Sequence, residues 1–161
     1  MEINSENLEI MKQKALLYYK ENKKIISPLF WEVRITNTWF NHIEWKNKVH
    51  KRDFKEAYVR YICFFHTKYI LEQSNLYQEF REQVEQFKIK VGKKKYKNVN
   101  ENTCYYWFVA VVNNNKHRVR IVIKKHEKSN YYEFVSVVPA WKKEWYLWTK
   151  DNILFFDKKI E

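Results

Sequence analysis

Histidines, strand arginines and a strand serine are the side chains of this sequence best suited to chemistry. The histidines are His42, His50, His66, His117 and His126. Imidazole titrates near neutral pH and can take or give a proton. Arg118 and Arg120 offer planar, permanently charged forks to phosphate oxygens, and Lys124 adds a cation four residues on. Ser136 is a small hydroxyl on a later strand. These are the groups that metal-free RNA cleavage needs. A ribose 2′-OH attacks the adjacent phosphorus, a base removes its proton, an acid protonates the leaving 5′ oxygen, and fixed cations hold the phosphorane charge. No cofactor is required. His42 and His50, eight residues apart across a predicted break, make a weak zinc pair at most, so no metal site is expected. HExxH, GxSxG and CxxC are all absent.

Charge and aromatics point to the same class of partner. The chain of 161 residues carries 31 Lys+Arg against 19 Asp+Glu, a net charge of +12, with 19% aromatic residues. Residues 1–80 hold 13 basic and 10 acidic side chains, whereas residues 81–161 hold 18 and 9, so the excess belongs to the second half. A basic field attracts polyanions, and interleaved aromatics can stack bases. Arg60, Lys93, Lys94, Lys95, Arg118 and Lys124 are the candidate RNA contacts. With one Gly and two Pro the chain has no P-loop and no dinucleotide-binding GxGxxG, both of which need glycine where backbone meets phosphate. No apolar run reaches the roughly 18 residues of a membrane span, and the polar N-terminus does not resemble a secretory signal. Cys63 and Cys104 read as reduced thiols, so a cytoplasmic protein is expected.

The elements that must position these groups follow from periodicity. Ser5 can cap a first helix in which Leu8, Met11, Ala15, Tyr18 and Tyr19 repeat at helical spacing, ending near Asn22. Residues 29–35 alternate as a strand. Thr36-Asn37-Thr38 starts a short helix through Trp45, a basic connector with His50 follows, and Asp53 caps a second helix that Tyr69 and Ile70 extend. From about Glu85 the period becomes two. Strands are expected at 104–112, 118–124 and 131–138, joined by short hairpins, the first through Asn113–Lys116. Loops this short force antiparallel neighbours. Alternation puts Phe134 and Ser136 on one face of the last strand, and Val135 and Val137 on the other. The expected fold class is α+β, with N-terminal helices packed on a four-stranded antiparallel meander sheet. One domain spans 1–161, with a helical extension at 1–28, a core at 29–140 and a C-terminal extension at 141–161 packed on the sheet edge. The tryptophans Trp39, Trp107 and Trp141 are expected in the core.

The run Ile35-Thr36-Asn37-Thr38-Trp39-Phe40-Asn41-His42-Ile43 resembles the strand–turn–helix opening of phage-associated nucleases of the barnase/EndoU/colicin/RelE-like superfamily. The helix and the stretch Phe65–Ser74, and the closing strand Phe134–Val138, are similar to later parts of those proteins. The likeness covers about residues 33–140. It implies a barnase/RelE-like fold, ribonuclease activity of toxin type, and a cognate inhibitor as a partner. It matches His42 to the helix histidine, Arg120 to the strand basic residue and Ser136 to the small hydroxyl of the last strand. Lys51 stands where the family carries Pro after its second histidine, here His50, and residues 88–102 form a Lys-rich insertion. The functional expectation is an RNA-binding, metal-independent endoribonuclease with His42, His50, Arg120 and Ser136 as catalytic residues. The alternatives are a non-catalytic nucleic-acid-binding module and an inhibitor or immunity domain for an acidic partner.

Overall fold

The computed structural model describes residues 4–46, 49–112, 117–139 and 154–155. Helix α1 spans Ser5–Glu21. Its cap is Asn4 rather than Ser5: the Asn4 side-chain oxygen accepts from the Asn7 N–H at 2.9 Å. Asn22 closes it, donating from its side-chain amide to the Tyr18 carbonyl at 2.8 Å. A hairpin of β1 (Lys24–Ser27) and β2 (Trp31–Arg34) follows, then α2 (Trp39–Glu44) and a small hairpin of β3 (Trp45–Lys46) and β4 (His50–Lys51). Asp53 caps α3 (Phe54–Phe65), accepting from the Glu56 N–H at 2.8 Å. Tyr69 and Ile70 belong to a separate helix, α4 (Thr67–Gln73), because the chain breaks at His66. Strands β5 (Glu79–Lys90), β6 (Tyr96–Val112), β7 (His117–His126) and β8 (Tyr132–Pro139) complete the main sheet, with a short β9 (Leu154–Phe155).

The fold is α+β, but the expected four-stranded antiparallel meander with N-terminal helices is overturned. The sheet runs β1-β2-β8-β7-β6-β5 and is mixed, with β9 pairing β6 beside this path. Strands β5 to β8 pair antiparallel in sequence order, whereas β2 lies parallel to β8 and β9 parallel to β6. Three of the four helices come after the first hairpin. The open edge of the meander at β8 leaves a row of backbone groups that β2 can satisfy, and the connection through α2, α3 and α4 is long enough for a parallel approach. Lys24–Ser27 gave no strand signal because four residues ending at Pro28 are too short for alternation to register.

The helices cover one face of the sheet. Phe108, Ile121, Ile123, Phe134 and Val137 meet Trp39, Ile43, Tyr61, Phe64 and Leu71 there, all essentially inaccessible. Trp39 stacks on Phe64 with ring centroids 4.3 Å apart. Tyr61 donates to Glu44 at 2.9 Å, and burial with this carboxylate partner raises the Tyr61 pKa. Expected alternation fails on β8. Val122 faces Ser136 but Ile123 faces Phe134, so Val135 is the extra residue of a bulge. The bulge puts Phe134 and Val137 together in the core and leaves Ser136 on the opposite, outer face. Trp107 lies on that outer face, while Trp141, the turn at 113–116 and the extension at 141–161, apart from β9, lie outside the described residues.

Candidate nucleic-acid interface

The pairing of β5 with β6 outruns the rest of the sheet. Their ladder runs from Glu79 opposite Trp107 to Lys90 opposite Tyr96, but β7 leaves β6 at Thr103 opposite His126. Val84–Lys90 and Tyr96–Asn102 therefore form a two-stranded arm with no further strand beside it among the described residues. At about 3.4 Å per residue it extends about 20 Å. Its turn closes with the Val91 N–H on the Lys95 carbonyl at 3.0 Å. Between Glu85 and Glu101 there are six lysines, at 88, 90, 93, 94, 95 and 97, and no carboxylate. Val84, Ile89, Val91 and Tyr96 are exposed as well. An isolated two-stranded ribbon is marginal in water, and like charges at this density repel.

The root of the arm is fastened to the sheet by side chains far apart in sequence. Burial opposes the Glu85 charge, yet hydrogen bonds from the Tyr105 hydroxyl and the Gln83 amide, with Lys124 and His126 nearby, hold its pKa below the usual carboxylate range. Tyr105 is pushed up by burial and by this carboxylate. Thr103 shares a hydrogen bond of 2.9 Å with His126, whose ring meets Phe87 edge-on at 4.6 Å. The turn after β7 clasps the same root: the Glu127 N–H donates to the Asn102 carbonyl at 2.9 Å, and the Lys128 N–H to Glu101 at 2.6 Å.

Trp31 lies at the same end of the sheet. It precedes Val33, which pairs with Tyr132. Its φ is +61°, and the Glu32 N–H bonds back to the Phe30 carbonyl at 2.7 Å, which makes Trp31 the centre of a strained γ-turn. The turn drives Phe30 into a cluster with Tyr106, Phe108 and Tyr132 and leaves Trp31 76% exposed.

The residues expected to form one catalytic centre are distributed over different surfaces. Arg118, Arg120, Lys124 and Ser136 project from the outer face of the sheet. Arg120 pairs with Glu79 at 3.5 Å and lies over Trp107. Lys124 pairs at 3.5 Å with Glu133, which also accepts from Thr36. His42 is half-buried on α2, in the helical layer on the other face, and His50 is exposed on the β3–β4 hairpin that joins α2 to α3. Arg60 is 11% exposed on α3, with Glu56 and the Val137 carbonyl as partners. Burial lowers its pKa, and the neighbouring Arg52 adds to this. Its charge is used between helix and sheet. Lys93, Lys94 and Lys95 are exposed at the arm tip.

Sequence reasoning passed over Lys88, Lys90, Lys97 and Trp31. A signal for the lysines was present: two period-two segments of matching length flank the tip, with lysines and no carboxylate between them. For Trp31 there was none, since its strain is visible only in the backbone. Among the described residues no group of histidines, cysteines and carboxylates could hold a metal ion, and no helix is long and apolar enough to cross a membrane. Compared with known proteins, the chain matches no family model, and no curated protein or solved structure matches it.

Proposed function

We propose that this protein binds RNA through its phosphate backbone, with the β5–β6 arm as the principal contact. The observation that carries this reading is the run of six lysines with no carboxylate between Glu85 and Glu101, on a ribbon that projects beyond the sheet. Lysine is a compact point charge on a flexible stem, suited to phosphate oxygens whatever the sequence they belong to. A polyanion relieves the mutual repulsion of these charges and releases its own counterions on binding. An acidic protein surface offers a less regular array of charge.

Cleavage by the trio His42, Arg120 and Ser136 is not favoured by the geometry. Arg120 and Ser136 project from the outer face of the sheet, whereas His42 is carried by α2 in the layer against the other face, which argues against one scissile phosphate meeting all three. The proposed activity is therefore binding.

The test is retention of labelled RNA in EDTA, scored for both binding and chain length. The wild type should bind and leave the RNA intact. Replacing Lys88, Lys90, Lys93, Lys94, Lys95 and Lys97 by Gln should abolish binding while circular dichroism stays unchanged. Undiminished binding by that variant refutes the reading. Metal-independent cutting that His42→Ala abolishes would reinstate the catalytic alternative.

A further inference from the structure

Between the arm and the turn that clasps its root lies an open groove of about 620 Å³. Phe87 and Lys88 line it from the arm, His126 from the end of β7, Lys128 and Tyr131 from the turn, and Arg34 from β2. Arg34 lies over the Tyr131 ring at 4.0 Å. Its partner Glu32 is shared with Lys24, so the Arg34 charge is not cancelled locally. Lys88 and Lys128 make no ion pair among the described residues, and the one carboxylate in the groove, Glu101, accepts from the Lys128 backbone. The groove therefore combines excess positive charge with two aromatic rings and a guanidinium already stacked on one of them.

We infer that this groove takes one nucleotide of a single RNA strand, the base stacking on the Arg34–Tyr131 pair and the phosphate meeting Lys88 and Lys128. This rests on the RNA-binding reading and adds to it a site for an unpaired base. The aromatic faces decide between ligand classes. A phosphate alone, or an acidic side chain, would use the cations but leave the rings idle, whereas bases stack on aromatic and guanidinium planes. The volume lies within the range of small-molecule pockets. Position supports it too: the groove begins where the lysine ribbon leaves the sheet, so a strand running along the arm arrives at it.

The probe is an RNA tetranucleotide, too short to depend on the arm tip, titrated into the full chain by calorimetry. Tyr131→Leu should weaken it by about fivefold to a hundredfold, the range that loss of one stacked base gives. Lys88→Gln should also weaken it, whereas Lys68→Ala, on α4 and outside the groove lining, should leave it within about twofold. An abasic tetranucleotide should bind as weakly to the wild type as the intact one does to Tyr131→Leu. Equal binding of the intact probe by wild type and Tyr131→Leu overturns the inference, as does equal binding of abasic and intact probes. If Tyr131→Leu does not fold, Lys88→Gln and the abasic probe decide it by the same criteria. Loss of the groove alone would appear as long RNA binding that depends on the arm with no tetranucleotide binding. Failure of the wild type to bind either RNA removes both proposals.

Discussion

Neutralising the tip of the arm should change the salt dependence of RNA binding more clearly than its strength at any one condition. Six lysines lie between residues 86 and 100. If each neutralises one phosphate of a single strand, log affinity falls against log salt with a slope of about −4.2, at about −0.7 per phosphate. Between about 50 and 200 mM salt the wild type then loses about 300-fold in affinity. Replacing Lys93, Lys94 and Lys95 by Ala removes half of these contacts, so the slope becomes about −2.1 and the loss about 20-fold. All three residues are exposed in the turn beyond the last ladder pair, so fold stability should not change. Fluorescence anisotropy of a labelled 20-nucleotide RNA at four salt concentrations, in EDTA, measures both slopes. Parallel lines for wild type and variant would refute the reasoning, because they would mean that the tip lysines release no counterions.

Three further outcomes test the framework that carries the arm. Gly92 has no positive φ, and an added Cβ would sit 3.8 Å from the Lys95 Cβ, so Gly92→Ala should be tolerated and stabilise by up to about 1 kcal/mol in urea unfolding; a clear loss of stability would contradict the turn geometry. Trp39→Ala removes the ring stacked on Phe64 beneath the sheet and should cost about 3–5 kcal/mol, read from the shift in denaturant midpoint. The lowered pKa of Glu85 means that its charge stabilises the folded arm root above the usual carboxylate range, and that this contribution disappears as the pH falls through the lowered value. Amide protection at Thr103–Tyr105 should weaken correspondingly on acidification, and a Glu85→Gln variant that kept the same acid profile would contradict this assignment.

Particular residues explain what sequence could and could not reveal. Asp53 and the apolar face behind it marked α3 well, because cap and periodicity are local. The antiparallel pairing of β6, β7 and β8 was equally legible, since short loops leave no other arrangement. Local signals did not extend to the partner of β2: nothing in Trp31–Arg34 specifies a parallel neighbour a hundred residues away. The bulge at Val135 was hidden because the run Phe134–Val138 is compatible with plain alternation, and it moved Ser136 away from Phe134. His42 and Arg120 each lie in an element that was anticipated, yet the sequence does not say on which side of the sheet each element's chemistry falls. The lysines at 93–95 were legible as a cluster, but the arm became visible only when β6 proved to start at Tyr96 rather than near 104.

The most direct measurement is an amide chemical-shift map of the ¹⁵N-labelled protein as a single-stranded RNA is added. Shifts should concentrate on residues 84–102 of the arm and 126–131 of the adjoining turn, with α1, α3 and α4 unmoved. Shifts confined to the helical layer, or an arm whose signals stay in place while RNA binds elsewhere, would contradict it.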